Sequence, residues 1–168
     1  MSRRFGLAWA IALLLAATAC SVPSSPDPAN VPPSNEPPAV TAATIVELTN
    51  GERSRAGLPH YTLSPSLTQA AQIQADQIAT GGRLDHMLPD ARYPRLEDRL
   101  AAAGYSWQAA AENLAGGQRT ASLAMDSWMQ SSGHRDNILS SMFSELGTAY
   151  VVGPSGQQIY VQVFGRPR

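Results

Sequence analysis

The prolines of this chain are concentrated in one short stretch, and this restricts the folded part to the residues that follow. Residues 21–40 hold seven of the thirteen prolines, together with Ser, Asn and Asp, and almost no large apolar side chain. Such a composition cannot bury enough apolar surface to fold, so it predicts an extended, semi-rigid linker. Residues 41–168 remain, which is enough for one domain with a single core.

The first nineteen residues resemble a bacterial export signal. Arg3 and Arg4 precede an apolar run from Phe5 to Ala17, which has the length of a signal-peptide core and is too short to span a membrane as a free helix. Small residues then lead into Cys20, in a pattern that resembles a bacterial lipoprotein box. Because Cys20 is the only cysteine, it has no internal disulfide partner. We therefore expect a lipid on Cys20. The alternative is an ordinary secretory leader with an incidental cysteine.

The predicted organisation has three parts: a lipoprotein signal peptide over 1–19, lipidated Cys20 with its linker over 20–40, and a folded domain over 41–168. It predicts an extracytoplasmic protein of the cell envelope, tethered to a membrane through Cys20. Ser21 stands where an Asp generally retains lipoproteins at the inner membrane, so the outer membrane is favoured if the source has two membranes. Without Arg3 and Arg4, ten Arg face thirteen acidic residues, so no nucleic acid is expected as a partner.

The spacing of apolar residues predicts helices followed by strands. Helices are expected at about 42–55, 65–81, 94–103 and 120–131, with Ser64 and Pro65 beginning the second and Gly133 ending the last. One further helical turn is expected at 134–139. Residues 105–111 are expected to be a loop or a short strand. Two strands at 146–152 and 158–164, joined by the turn Gly153-Pro154-Ser155-Gly156, complete an α+β fold.

Four segments of the predicted domain carry titratable side chains beside characteristic neighbours. They are Asp85-His86-Met87, Ala111-Glu112-Asn113-Leu114, Ser131-Ser132-Gly133-His134-Arg135-Asp136-Asn137-Ile138-Leu139 after Trp128, and Ser144-Glu145-Leu146-Gly147. With Tyr160 to Gly165, this frame resembles the CAP superfamily of cysteine-rich secretory, antigen-five and pathogenesis-related proteins, in particular its short bacterial branch. The resemblance covers about 44–164. It implies a three-layer α-β-α sandwich and a shared cleft lined by His86, Glu112, His134 and Glu145.

The same four residues also have simpler interpretations. A histidine in a charged loop, such as His86, is commonly exposed and without a role. Glu112 fits the edge of an element as well as a polar cleft, and His134 fits a cation at a helix C-terminus. Gly133 before His134 would allow a sharp turn that directs the imidazole. The resemblance favours the shared cleft over these alternatives.

The chemistry of such a cleft has two main versions. Imidazoles are good zinc ligands, so His86 and His134 are candidate ligands of a zinc ion, although His–Glu pairs also stabilise each other without metal. The His-Glu-x-x-His and Gly-x-Ser-x-Gly motifs of metalloproteases and serine hydrolases are absent. We therefore favour a module that binds an envelope lipid, glycan or protein over an enzyme. The alternative is a metal-assisted or acid/base hydrolase acting on envelope peptide, glycan or lipid.

Overall fold

A computed structural model describes residues 42–168 of the chain. The predicted signal peptide, the lipidation site Cys20 and the linker lie outside the described residues. Within residues 42–168, no helix combines the length and the apolar character needed to cross a membrane.

The described part of the chain contains five helices and four strands. The helices are α1 (Ala42–Arg55), α2 (Pro65–Gly81), α3 (Leu96–Ala102), α4 (Ala121–Gln130) and α5 (Ser132–Ile138). The strands are β1 (Thr62–Leu63), β2 (Trp107–Gly116), β3 (Glu145–Val152) and β4 (Gln158–Pro167).

The strands form one sheet in the order β1-β3-β4-β2, with β1 parallel to β3 and the other pairs antiparallel. One core lies between the sheet and α2 with α3, and includes Leu67, Leu100 and Val163. A second core lies between the opposite face and α1, α4 and α5, and includes Trp128 and Phe164. The α+β class and the three-layer α-β-α arrangement are therefore confirmed.

Helix α2 lies in direct backbone contact with β3. A Cβ atom placed on Gly147 would stand 2.0 Å from the carbonyl carbon of Leu67 and 2.1 Å from the nitrogen of Thr68. Only glycine fits such an approach, because any side chain would overlap the helix backbone. This contact sets the position of α2 on the sheet, and with it the start of the loop that follows α2.

Several local predictions are confirmed. Helix α1 has the predicted bounds, and α2 runs from Pro65 to Gly81 and is followed by Gly82, whose φ of 68° is left-handed. Left-handed backbone at this position favours glycine, as is common after a helix C-terminus. The hairpin is also present, with a hydrogen bond of 2.8 Å from the Gly153 nitrogen to the Gln157 oxygen. Ser64 occupies the N-cap of α2, but its side chain makes no capping hydrogen bond.

Two local predictions differ from the structure. The sequence predicts a loop or a short strand at residues 105–111, and the strand that begins at Trp107 is longer, since β2 continues to Gly116. Three consecutive alanines at 109–111 favour strand weakly, and pairing with β4 overrides that preference. Gly133 does not break α4: the extended residue is Ser131 (φ −91°, ψ 120°), and Gly133 lies inside α5.

The carbonyl groups at the end of α5 are bonded by side chains from the N-terminal part of the domain. Buried Arg53 donates from Nη1 to the oxygens of Ile138 (2.9 Å) and Ser140 (2.8 Å). The hydroxyl of Tyr61 donates to the oxygen of Asn137 at 2.9 Å, and the Arg53 guanidinium carbon lies 3.6 Å from the Tyr61 ring centroid. These bonds supply partners that the helix itself cannot provide, and they fix the orientation of α5.

Candidate functional site

The candidate site lies along β2, a strand at the end of the sheet. Strand β2 pairs with β4, and no other described strand follows it in the order. Side chains alternate between the two faces of a strand, so the neighbours Glu112 and Asn113 point into different layers. A loop between α2 and α3 brings His86 to Glu112, and α5 brings His134 to Asn113.

His86, Glu112 and Arg99 form a chain of contacts that runs from solvent into the core. The His86 Nδ1 atom lies 2.9 Å from Oε1 of Glu112, and Nη2 of Arg99 donates to Oε2 of Glu112 at 2.8 Å. The His86 side chain is 58% exposed, whereas Glu112 is 3% and Arg99 0% exposed. Since Nδ1 is used inside, the Nε2 atom of His86 is the imidazole nitrogen left for a ligand.

Arg99 also binds the loop that carries His86. Its Nη2 donates to the His86 oxygen at 3.4 Å, and Nη1 donates to the oxygens of Tyr93 (3.4 Å) and Pro94 (3.3 Å). These bonds are long, but the guanidinium is fully buried and fixed by Glu112. Sequence reasoning missed Arg99. The available signal was an arginine on the same face of α3 as the apolar Leu96 and Ala103, which indicates a buried charge with a partner.

Two glutamines of α2 hold the same loop from the other side. Gln74 donates from Nε2 to the Asp85 oxygen at 2.7 Å. Gln77 donates to the Tyr93 oxygen at 3.1 Å and accepts from the Tyr93 nitrogen at 3.0 Å. The position of His86 is thus determined by bonds on both sides of it in the sequence.

A buried amide network places His134. Asn113 donates from Nδ2 to the His134 oxygen at 3.0 Å and to Oε1 of Gln162 at 2.9 Å, and accepts from Nδ2 of Asn137 at 2.9 Å. Gln162 donates in turn to Oγ1 of Thr49 at 2.7 Å. The network joins α1, β2, β4 and α5. Asn137, on α5, thus contributes a bond to a residue of β2.

The two imidazoles have opposite electrostatic surroundings. The hydrogen bond from Glu112 raises the pKa of His86 above its usual value, against a smaller opposing effect of burial. Burial lowers the pKa of His134, and the charge of His86 lowers it further. The charge of His86 therefore reaches the ring of His134. The structure thus joins His86 directly to Glu112, and the backbone of His134 is held by Asn113, the neighbour of Glu112 on β2.

Glu145 has a different neighbour. It begins β3 and pairs with Gly165 of β4, two residues from the pairing position of Glu112, so both carboxylates share a sheet face with β4 between them. The Tyr105 hydroxyl is buried over Gly165, and its burial, followed by its interaction with the Glu145 carboxylate, raises the pKa of Tyr105. Within residues 42–168, no hydrogen bond or ion pair joins Glu145 to either histidine.

The donor set does not by itself form a metal centre. Both oxygens of Glu112 are engaged, one by His86 and one by Arg99. In the part of the chain that the structure describes, no three His, Cys, Asp or Glu side chains converge as ligands. His86 and His134 offer two imidazoles, one fewer protein ligand than a catalytic zinc site generally has.

The arrangement instead suits hydrogen bonding and proton transfer. Glu112 holds Nδ1 of the largely exposed His86 ring, which leaves Nε2 to accept from or donate to a bound group.

Residues 46–164 match the model of the CAP family, described as the cysteine-rich secretory protein family. The chain belongs to this family. The match begins in α1, ends in β4 and includes His86, Glu112, His134 and Glu145. The family predicted from the sequence motifs is therefore confirmed.

The CAP domain has bacterial relatives and solved structural neighbours. The chain is 35% identical over 120 residues to "Uncharacterized protein YkwD" of Bacillus subtilis, covering 71% of this chain and 45% of the relative. It is 28% identical over 103 residues to "Uncharacterized membrane protein YlbC" of the same organism, covering 61% and 29%. The chain thus spans less than half the length of these curated relatives.

Two solved structures support the fold. An extracellular protein with an SCP domain from Bacillus anthracis aligns with a TM-score of 0.68 and 29% identity, covering 74% of this chain and 40% of that one. An outer surface protein from Borrelia burgdorferi aligns with a TM-score of 0.68 and 17% identity, covering 75% and 92%. The second likeness shows the CAP fold alone.

Proposed function

We propose that this CAP domain is exported, anchored through a lipid on Cys20, and binds a ligand at the cell envelope through His86, Glu112 and His134. Glu145 is the predicted fourth residue of the cleft, for a ligand large enough to extend across β4. The ligand classes that the site suits are an envelope lipid, glycan or protein with polar groups that hydrogen-bond to imidazole.

One observation carries the proposed binding site. An imidazole that is 58% exposed is held by a carboxylate and a guanidinium that are both buried. Burying an ion pair costs several kcal/mol of desolvation, and apolar residues of similar size generally fill such a space at no loss of stability (roughly 1–4 kcal/mol in favour of the apolar replacement). The buried Arg99–Glu112 pair contacts the exposed ring of His86. A role in ligand binding therefore explains this pair better than a contribution to stability does.

The extracytoplasmic location has independent support. The signal-like residues 1–19 and the small residues before Cys20 are the primary evidence. One relative is described as a membrane protein and one structural neighbour as extracellular. An outer-membrane location rests on Ser21 and applies to a source with two membranes.

Mass spectrometry of the mature N-terminus tests the anchor. We expect a chain that begins at Cys20 and carries acyl chains on it, and a Cys20→Ser variant that is released from membranes. Cleavage at another residue, or an unmodified Cys20 on a soluble product, contradicts the anchor but leaves the binding site untouched.

Ligand capture tests the site. The full chain is incubated with an extract of its own envelope, and bound lipids and glycans are identified by mass spectrometry. We expect a compound that is retained by the wild type and lost with His86→Ala. His60→Ala is the matched control, because His60 is exposed and bonded only to Ser54 (2.6 Å) in the described structure. Equal retention by both variants contradicts the proposal.

A second candidate is an acid/base hydrolase that uses water. It is favoured by the bond from Glu112 to Nδ1 of His86, which leaves Nε2 free to take a proton from water. In this version Glu112 stabilises the imidazolium that forms. We expect turnover of envelope peptide, glycan or lipid to be lost in both His86→Ala and Glu112→Gln and kept in His60→Ala. Capture without turnover supports the binding module instead.

A further inference from the structure

A cavity lies on the loop that carries His86, and none of the candidate-site residues lines it. Its volume is about 420 Å³, and it opens between the C-terminal half of α2 and the loop of residues 83–92. This volume falls within the range of small-molecule pockets, roughly 300–1,000 Å³. Neither His86 nor Glu112 lines it, although His86 belongs to the same loop.

The walls of this cavity are fixed by backbone hydrogen bonds. The Leu88 nitrogen donates to the Pro94 oxygen at 3.1 Å, and the Ala91 nitrogen donates to the Leu88 oxygen at 2.9 Å. On the opposite wall, Gln77 holds Tyr93 through two bonds. The apolar part of the lining comes from Leu88, Pro89 and Ala91. The space is thus bounded by ordered backbone on both sides.

The charges around the cavity are not balanced. Arg83 is paired with Asp85 at 2.5 Å, so its charge is already compensated. Asp76 and Asp90 line the cavity, and neither forms an ion pair with any described residue. Arg92 is the remaining cation of the lining, and its guanidinium lies over the Tyr93 ring, 5.2 Å from the centroid.

The C-terminal end of α2 adds partial negative charge to the surroundings of the cavity. Thr80 and Gly81, in the last turn of the seventeen-residue helix, line the cavity. The final carbonyl groups of a helix carry partial negative charge and favour a cation nearby. Two carboxylates and a helix C-terminus therefore outweigh one free guanidinium.

We propose that this cavity binds a small ligand with a protonated amine on an apolar body. The ammonium group lies against Asp76, Asp90 and the end of α2, and the apolar body contacts Leu88 and Ala91. Amino acids with apolar side chains, and short apolar peptides with a free amine, have this chemistry. The inference goes beyond the proposed function, because it concerns a different set of residues.

Three probes that share the same side chain but differ in charge test the proposal. They are norleucinamide, which is cationic, N-acetylnorleucinamide, which is neutral, and N-acetylnorleucine, which is anionic. Each is titrated into the ¹⁵N-labelled full chain while backbone amide shifts are recorded by NMR. We expect saturable shifts of Thr80, Gly81, Leu88 and Ala91 with norleucinamide, and an affinity at least about fivefold weaker for the other two probes.

Matched variants separate this site from the rest of the molecule. Asp76→Asn combined with Asp90→Asn should weaken norleucinamide binding at least about fivefold. The control pair Asp126→Asn and Asp136→Asn, on α4 and α5, removes the same charge elsewhere and should leave it unchanged. His86→Ala should also leave norleucinamide binding unchanged. The cavity proposal can therefore fail without the proposed function of the His86 site failing. Tighter binding of the anionic probe, equal weakening by both pairs, or no saturable shift up to about 10 mM overturns the proposal.

Discussion

Glu112 and Asn113 are neighbours on β2, and each holds a different histidine segment from a different face of the sheet. Glu112 binds the ring of His86 in one layer, and Asn113 binds the backbone oxygen of His134 in the other. The two histidine segments lie in layers on opposite faces of the sheet, and both are held from the end strand β2. A pair of adjacent residues thus determines the geometry of the whole candidate site.

Replacing Glu112 by Gln should lower the pKa of His86. The Glu112 hydrogen bond is the largest cause of the raised value, and an amide cannot stabilise the imidazolium as a carboxylate does. The measurement is an NMR titration of the His86 ring protons. Glu97→Gln, at an exposed position in the first turn of α3, is the control and should not change the titration. An unchanged His86 pKa in Glu112→Gln would contradict the observed contact.

The two histidines should give opposite pH dependences of stability. The pKa of His86 is raised on folding, so its contribution is full below the unfolded value of about 6.5 and is lost as the pH rises through the folded value. The pKa of His134 is lowered, so its contribution is full above about 6.5 and is lost as the pH falls through the folded value. In urea unfolding at about pH 5.5 and about pH 8, His86→Ala should cost more at the lower pH. The change in the free energy of unfolding caused by His134→Ala should be more favourable at about pH 5.5 than at about pH 8.

Asn113→Ala should destabilise the domain by about 2–4 kcal/mol, because it leaves several buried polar groups unpaired. Asn113 is fully buried, and its partners are the His134 oxygen and the side chains of Gln162 and Asn137. Urea unfolding gives the magnitude. Asn137→Ala removes a single bond of the same network and should cost less. A neutral Asn113→Ala variant would show that these bonds do not support the fold.

Gly147→Ala should prevent folding or cost more than about 3 kcal/mol, since overpacking at a backbone contact leaves no side chain free to move aside. The added methyl would overlap the Leu67 backbone at 2.0 Å. Gly133→Ala is the matched control: it lies inside α5 with no atom within 4 Å of a built Cβ, and should stabilise by up to about 1 kcal/mol. Circular dichroism and thermal unfolding compare the two. Equal effects would contradict the close packing of α2 on β3.

Trp128→Ala should cost about 3–5 kcal/mol, as expected for a large aromatic side chain in a core. Trp128 is 1% exposed, and its Nε1 donates to the Leu114 oxygen at 3.0 Å. Trp128→Phe keeps most of the packing and loses the hydrogen bond, so its cost should be smaller, about 1–3 kcal/mol. A loss with Phe as large as with Ala would make the hydrogen bond, rather than packing, the dominant contribution.

Zinc should bind weakly, if the two imidazoles are its protein ligands. Calorimetric titration of the full chain measures the affinity, and binding should be lost in both His86→Ala and His134→Ala. His60→Ala serves as the control for nonspecific binding to an exposed imidazole. Tight binding that survives in either site variant would place the metal elsewhere.

The sequence predicts the elements whose local signals are strong. Helix α2 has proline at its start and glycine at its end, and the hairpin has a Gly-Pro-Ser-Gly turn, so both are predictable without tertiary information. Strand β2 is different, because alanines at 109–111 favour helix intrinsically and only the partner strand β4 makes them extended. The position of Gly133 inside α5 likewise depends on tertiary bonds at the helix end.

The candidate site was predictable in part. His86, Glu112 and His134 follow from motifs that resemble the CAP family, and the structure shows the contact of His86 with Glu112. The role of Arg99 depends on a contact between residues thirteen positions apart on different elements. Such a pairing leaves only an indirect trace in one sequence, namely a charged residue on an otherwise apolar helix face.

The bonds from Gln74, Gln77 and Arg99 to the loop that carries His86 have a consequence for the kinetics of recognition. A loop that is already ordered loses little conformational entropy when a ligand arrives, so little of the interaction energy is spent on ordering. No closing step then limits the association rate, and differences in affinity between related ligands should appear mainly in their dissociation rates. A domain with a preformed site of this kind would sample ligands quickly and discriminate among them by residence time.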